Sequence, residues 1–320
     1  MIVKQNRMIL PILAVLLLLT AWLSPVAAYA AEPLDPNVDC ELIIRYTYEG
    51  QPIDGAPYCL YRVAEADAEA NLTMCEPFSA YPVDYSEMTQ EKYRSLAQTL
   101  DAYVKMDQLE PDYAGHADEN GKVRLTGLKP GLYFLMGQRY IAKDGQYVFT
   151  PCLISVPTRL SADGEWIYSV TVLPKCSFRP HGGMGVTNKK VLKIWDDFGC
   201  EDQRPKSITV ILLCNGKEYD RVVLDVNNGW SYTWIDLPAG EEWLVVEVVP
   251  KGYSVLNMDD GLVTKIINTN TPDNPPPPTE PDEDLPQTGQ TWWPMPLLIV
   301  MGLVLIVIGV RINRGSKHEA

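Results

Sequence analysis

The segment KKVLKIWDD, residues 189–197, places Lys193 between apolar neighbours in a stretch that otherwise predicts a β-strand. Alternate residues of a strand point to opposite faces of its sheet. Two later segments have the same form: Glu247 lies within VVEVVPKGY, and Asn268 lies within IINT. A lysine, a glutamate and an asparagine are therefore each expected to point into an apolar core.

The chain around these segments predicts a β-sandwich over residues 186–270. Short runs rich in Val, Ile, Thr, Tyr and Trp alternate with turn residues, which favours an antiparallel β-sandwich. The predicted strands are KKVLKIWDD, SITVILLCNG, YDRVVLDV, WSYTWIDLP, EEWLVVEVVP and LVTKIINT.

The order and spacing of KIWDD, RPKSITVILLCNGK, NGWSYTWIDLP, VVEVVPKGY and IINT resemble the Cna B-type domain along the whole of this unit. The resemblance implies an immunoglobulin-like sandwich and an internal isopeptide bond, in which Lys193 supplies the amine, Asn268 the carboxamide and Glu247 the acid. Burial disfavours charge, so it lowers a lysine pKa and raises a glutamate pKa, and a neutral amine is a nucleophile. The alternative is a buried Lys–Glu pair with an asparagine nearby.

Residues 39–176 predict a first β-sandwich that carries a helical insertion. Its strands are predicted in ELIIRYTY, PYCLYRVA, GKVRLTGLKPGLYFLMG, YVFTPCLISVP and EWIYSVTVLPK. The segment DYSEMTQEKYRSLAQTLDAYVKMDQ has helical periodicity, which predicts one amphipathic helix packed on this sandwich. Its apolar face consists of Tyr93, Leu96, Ala97, Leu100, Tyr103 and Val104. Residues 177–185, SFRPHGGMG, predict a linker, so the expected fold is all-β with two tandem sandwiches.

The first unit departs from the Cna B-type pattern. Tyr46 stands where the lysine is expected, and Gly137 stands near the position of the acid, so no isopeptide bond is expected there. Of the seven cysteines, Cys40 precedes the first strand and Cys176 ends the last, which makes a disulfide between them a hypothesis. The alternative is that the cysteines are small buried apolar residues.

The segment WIYSVTVLPKC, residues 166–176, resembles the W-x-x-x-V-x-V-Y-P-K motif of sortase-assembled pilins. The matching residues are Trp166, Val170, Val172, Pro174 and Lys175, whereas Leu173 replaces the usual tyrosine. The resemblance implies that the Lys175 amine accepts the threonine of the next subunit. An ordinary surface lysine at a strand end is the alternative.

Both ends of the chain carry export signals. Residues 1–30 predict a signal helix, a secretory signal peptide. Residues 271–284 are a proline-rich acidic spacer, and residues 290–320 predict a transmembrane helix with a basic cytoplasmic tail. Between them lie Leu285, Pro286, Gln287, Thr288 and Gly289. Together these parts resemble the LPxTG cell-wall sorting signal of Gram-positive surface proteins. This implies that a sortase cuts between Thr288 and Gly289, so that membrane attachment is only transient.

Composition excludes some classes of function. The 320 residues carry a formal charge of −14, without the basic stripe that nucleic-acid binders show. No metal or cofactor motif is present, and no group of residues points to an enzyme. The leading hypothesis is a sortase-assembled backbone pilin on a Gram-positive cell surface. Its expected partners are sortases, other copies of itself or other pilins, and peptidoglycan. A monomeric wall-anchored adhesin or a basal pilin is the alternative, and any host ligand is unknown.

Overall fold

The computed structural model describes residues 33–86, 88–159, 164–180, 185–197 and 200–270. The described residues up to 180, which form the first sandwich, contain thirteen strands and one α-helix, α1 (Gln90–Met106). The strands are β1 (Cys40–Arg45), β2 (Thr47–Tyr48), β3 (Gln51–Pro52), β4 (Pro57–Ala66), β5 (Leu72–Met74), β6 (Tyr113–His116), β7 (Lys122–Leu128), β8 (Gly131–Leu135), β9 (Arg139–Ile141), β10 (Gly145–Phe149), β11 (Cys152–Val156), β12 (Ser169–Val172) and β13 (Cys176–Pro180).

Four sheets make up this first sandwich. Their orders are β12-β1-β7, β11-β8-β4-β5 with β6 also on β4, β13-β10-β9, and β2-β3. The apolar cluster within this sandwich includes Leu42, Ile44, Tyr46, Leu60 and Phe149. Strand alternation accounts for it, since Leu42 and Ile44 are buried while Arg45 is exposed.

The second sandwich has seven strands in two sheets. They are β14 (Val186–Asp196), β15 (Ser207–Cys214), β16 (Lys217–Asp225), β17 (Ser231–Pro238), β18 (Trp243–Val248), β19 (Tyr253–Asp259) and β20 (Val263–Asn270). One sheet has the order β17-β14-β20-β19 and the other β16-β15-β18. The first and last strands, β14 and β20, are therefore direct neighbours, and they run parallel with Lys193 opposite Ile266.

Helix α1 begins where the sequence predicts a helix, and its start is capped. The Thr89 side chain accepts a hydrogen bond from the Lys92 backbone N–H at 3.2 Å, which satisfies a donor that the first helical turn leaves free. The predicted apolar face divides between two cores. Leu96, Ala97, Leu100 and Val104 pack with the first sandwich, whereas Tyr103 belongs to the core of the second, as does Ala102, which was not part of the predicted face. The helix was expected on one sandwich and lies against both.

Six strands fall where the sequence analysis placed none, namely β3, β5, β6, β9, β13 and β19. β13 lies at the start of the segment predicted as a linker, and it pairs antiparallel with β10. The Phe178 ring of β13 packs on Tyr147, with the ring centroids 4.9 Å apart. β19 was also missed, because a buried polar residue, Asn257, interrupts its apolar alternation.

Several expectations concern residues beyond these ranges. Among the described residues, no helix is both long enough and apolar enough to cross a bilayer. The predicted signal peptide, proline-rich spacer, LPQTG motif and transmembrane helix all lie outside the described residues.

Candidate cross-linking site

Lys193 lies in the core of the second sandwich. It is 5% exposed, and its side chain has no exposed surface. Its Nζ donates to the backbone carbonyl of Ile194 at 2.8 Å and to that of Ile266 at 3.4 Å. These carbonyls hold the amine between β14 and β20, the strand on which Asn268 lies.

Glu247 reaches the same place from the opposite sheet. It lies on β18, and its side chain is also fully buried. Its Oε2 is 3.9 Å from Lys193 Nζ, and its Oε1 accepts a 2.8 Å hydrogen bond from Asn268 Nδ2. One carboxyl group therefore bridges the amine and the amide.

Asn268 completes the group from β20. It has no exposed surface, and it pairs with Trp195 in the parallel register, two residues beyond the pair of Lys193. Because every second residue of a strand points to the same face, the side chains of Lys193 and Asn268 lie on the same face of the sheet. Among the described groups, Asn268 Oδ1 and Glu247 Oε2 accept no hydrogen bond. Buried polar atoms are seldom left in this state, which makes an unreacted group of three costly.

Burial shifts the pKa values of Lys193 and Glu247 in the direction that favours their neutral forms. It lowers the pKa of Lys193 to about 8, against the opposing attraction of Glu247. It raises the pKa of Glu247 to about 7, against the opposing effects of Lys193 and the Asn268 hydrogen bond. A proton can therefore pass from the amine to the carboxylate at small energetic cost.

This arrangement can perform one amide exchange. The neutral Lys193 amine attacks Asn268 Cγ, and a carbon–nitrogen bond forms. Protonated Glu247 would give its proton to Asn268 Nδ2 through Oε1 and would take up, through Oε2, the proton that the attacking amine gives up. The bond from Cγ to Nδ2 then breaks, and ammonia leaves. Fixed proximity of this kind contributes on the order of 7–11 kcal/mol towards the barrier.

Aromatic groups enclose the amine, which the sequence analysis did not foresee. Lys193 Nζ is 4.2 Å from the centre of the Trp195 ring, and that ring packs edge-on against Trp230 and Tyr253. The Trp195 ring attracts the charged form of the amine, so the lowered pKa of Lys193 comes from its burial and not from this contact. The sequence signal was Trp195 itself, two residues from Lys193.

A second buried lysine lies on the same strand but has a different environment. Lys189 Nζ donates to both carboxylate oxygens of Asp259, at 2.8 and 2.7 Å, and to the Gly261 carbonyl at 3.1 Å. Thr264 Oγ1 also donates to Asp259 Oδ2 at 2.7 Å. Lys189 is therefore engaged in a salt bridge with Asp259 and is not aimed at a carboxamide.

Lys175 is exposed at the end of β12. Val170 and Pro174 are buried and Val172 is half-buried, so the motif residues before Lys175 anchor the strand. The half-buried Trp166 ring lies under the Arg159 guanidinium at 4.6 Å. A groove of about 290 Å³ adjoins Lys175 and is lined by Tyr93, Arg94, Pro151, Leu173 and neighbouring residues.

The hypothesised disulfide is not formed in the structure. All seven cysteines are free thiols. β1 and β12 run parallel, and Cys40 begins β1 whereas Cys176 follows the far end of β12. The two thiols therefore lie at opposite ends of this strand pair. Cys40 is instead a buried apolar residue, and its burial raises the pKa of its thiol to about 11.

The remaining expectations for the first sandwich concern Tyr46 and Gly137. The Tyr46 ring is buried and meets Phe149 edge-on at 4.6 Å. The Gly137 backbone N–H donates to the Asp101 carboxylate of helix α1 at 2.9 Å. At the sequence position where the lysine is expected, the first sandwich therefore has a buried phenol.

Comparison with known families bears directly on the second sandwich. Residues 189–269 match the family model of the Cna protein B-type domain. The match begins in β14 and ends in β20, so it includes all three residues of the cross-linking site. Together with the strand content, it confirms the predicted all-β, immunoglobulin-like fold class. No match is found among curated protein sequences.

Solved structures of surface proteins and pilins are similar to this chain. A single B repeat unit of the collagen binding surface protein of Staphylococcus aureus has 16% identity, covers 73% of this chain and 99% of its own, and gives a TM-score of 0.26. The full-length major pilin SpaD from Corynebacterium diphtheriae has 14% identity, covers 75% of this chain and 68% of its own, and gives a TM-score of 0.30. The SpaE basal pilin from Lactobacillus rhamnosus GG has 14% identity, covers 69% of this chain and 83% of its own, and gives a TM-score of 0.29. At these values the similarity concerns the fold alone.

Proposed function

We propose that this chain is a pilin-like structural protein of a bacterial surface, stiffened by an isopeptide bond between Lys193 and Asn268. The observation that carries the proposal is the buried contact of one carboxyl group, Glu247, with both the amine and the amide. A bond at this place joins the first strand of the second sandwich to the last. Tension applied to the two ends of the sandwich would then pass through a covalent amide.

The intact mass of the full chain tests this bond. The wild-type chain is expected to be one ammonia lighter than its sequence, and a tryptic digest to contain one branched peptide that joins Lys193 to Asn268. Lys193→Ala is expected to have its full sequence mass. Lys190→Ala removes an exposed lysine from the same strand and is expected to remain one ammonia lighter. A wild-type chain of full sequence mass would refute the bond.

We further propose that a sortase joins Thr288 of one copy to Lys175 of the next, which makes this chain the backbone of a pilus. Lys175 is exposed directly after the buried Pro174, and the adjoining groove offers room for an extended peptide. Head-to-tail linkage of identical subunits gives an open fibre. The last copy would be attached to peptidoglycan, so the transmembrane helix would serve only until sorting.

A monomeric wall-anchored adhesin or a basal pilin is the second candidate function. The proline-rich acidic segment at 271–284 favours it, because extended polyproline can hold a domain away from its point of attachment. In that case Lys175 is not used. Boiled cell-wall digests separate the two, since only the backbone pilin gives a ladder of high-mass species.

A further inference from the structure

The second sandwich has an open side between two edge strands. β18 is the last strand of one sheet, and β19 is the last strand of the other. The two edges are close together, because Asn257 Nδ2 on β19 donates to the Val245 carbonyl on β18 at 3.2 Å. Edge strands present unpaired backbone groups. Glu247 lies on one of these edges, so whatever covers this side controls the access of water to its carboxyl group.

Helix α1 and the segment before it cover the β19 edge. Gln98 makes two hydrogen bonds to the backbone of Asp259, accepting from its N–H at 3.1 Å and donating to its carbonyl at 2.8 Å. Thr99 Oγ1 accepts from the Asn257 N–H at 2.8 Å. The Pro82 carbonyl accepts from the Val255 N–H at 2.8 Å. These groups take the place of a further strand.

Tyr103 covers the β18 edge at the site itself. Its hydroxyl donates to the backbone carbonyl of Glu247 at 3.4 Å, and its side chain is 6% exposed. Its ring shares an apolar cluster with Val245 and Val246, directly before Glu247. Burial, and then the charge of Glu247, raise the pKa of Tyr103, so the phenol stays a neutral donor.

A buried ionic network fixes the helix in this position. Lys105 Nζ donates to Asp101 of the same helix at 2.8 Å and to Glu242 of the second sandwich at 2.6 Å. Asp101 in turn accepts from the Gly137 backbone of the first sandwich. The helix is therefore attached to both sandwiches at the end that carries Tyr103.

We propose that docking of helix α1 on β18 and β19 activates the cross-linking reaction in the second sandwich, with Tyr103 as a positioning residue for Glu247. This inference rests on the proposed isopeptide bond. Tyr103 touches neither the amine nor the amide. It bonds to the backbone of the strand that carries the acid and packs against Val245 and Val246, directly before Glu247. A carboxyl group that is kept from water favours its protonated form, and its position relative to the amine and the amide affects the rate of cross-linking.

The rate of ammonia loss in the full chain tests the inference. Cell-free synthesis is stopped at intervals, and intact mass gives the cross-linked fraction. Tyr103→Ala is expected to slow the reaction by about tenfold to a hundredfold, the range that a small misplacement of a reacting group costs. Tyr103→Phe keeps the packing and is expected to retain most of the rate. It is matched by Tyr61→Phe, which removes a buried hydroxyl bonded to the Leu109 carbonyl within the first sandwich.

A double variant keeps the test valid if Tyr103→Ala fails to fold. Gln98→Ala with Thr99→Val removes the hydrogen bonds to β19 without touching Glu247, and it is also expected to slow the reaction. Entry of water is further expected to move the acidic limb of the rate profile to lower pH, which a purely structural loss would not do. Wild-type rates in both the Tyr103→Ala and the double variant would overturn the activation. A wild-type chain that keeps its full mass would overturn the bond and the activation together.

Discussion

Asn268 Nδ2 donates to Glu247 Oε1 at 2.8 Å, across the space between the two sheets. In the proposed reaction, the nitrogen that would leave as ammonia is thus already in contact with the group that would protonate it. Lys193 Nζ is 3.9 Å from Oε2, the other oxygen of the same carboxyl group. One carboxyl group therefore contacts both the amine and the proposed leaving nitrogen.

Glu247→Gln is expected to abolish the cross-link, because a carboxamide cannot relay protons between the amine and the leaving group. The variant should have its full sequence mass. Its free energy of unfolding should fall by about 4 kcal/mol, the contribution that chain entropy assigns to a covalent link closing a loop of this size. Chemical denaturation measures the difference. Glu218→Gln, in an exposed ion pair with Arg221, is the control and should change neither quantity appreciably.

The rate of bond formation is expected to have a bell-shaped dependence on pH. The reactive state has a neutral Lys193 and a protonated Glu247. It contains the same number of protons as the ion pair of the Lys193 ammonium and the Glu247 carboxylate. Burial lowers the pKa of Lys193 and raises that of Glu247, so this state becomes accessible beside the ion pair. Below the lower pKa both groups bind protons, and above the higher pKa both lose them. A rate that rises steadily with pH would contradict the relay.

Lys193→Met is expected to make stability decrease as pH rises. The variant cannot cross-link, and Glu247 loses the cation that opposes the effect of burial on its pKa. A carboxyl whose pKa is higher in the folded state binds its proton more tightly there. Its stabilising contribution is complete below the ordinary pKa and is lost as pH rises through the folded pKa. Thermal unfolding from about pH 5 to about pH 8 measures this, and a melting temperature that rises across that range would count against a buried Glu247.

Lys175→Ala is expected to remove the high-mass ladder from boiled cell-wall digests of the native host. The physical reason is the loss of the acceptor amine. Lys143→Ala removes another exposed lysine of the first sandwich and should leave the ladder intact. A single band in the wild-type strain, unchanged by either substitution, would instead indicate the monomeric adhesin or the basal pilin.

Asp101→Ala is expected to destabilise the chain by about 3 kcal/mol, since it removes one partner from a buried ionic group. The side chains of Asp101 and Lys105 are 4% and 11% exposed, and the Gly137 N–H also loses its acceptor. Glu218→Ala breaks an exposed pair and should cost less than about 1 kcal/mol. Denaturant unfolding compares the two variants, and equal losses would show that the network contributes little.

The cross-linking residues could be predicted because each is a polar residue in an apolar strand, which alternation turns inward. The strand beside β20 in the same sheet was harder to predict, since Asn257 makes β19 look polar. The second partner of helix α1 could not be predicted either. Periodicity identifies Tyr103 as apolar-facing but does not say which core it enters. The contacts of Gln98 and Thr99 join residues more than a hundred positions apart, and no local pattern encodes them.

The contact from Tyr103 to Glu247 spans 144 positions, and that from Gln98 to Asp259 spans 161. Synthesis proceeds from the N-terminus, so the helix exists long before its docking strands do. Its Ala102 and Tyr103 face stays uncovered until β18 and β19 have emerged. If docking of the helix activates the cross-link as proposed, the strands that are made last would complete both the fold and the reactive site.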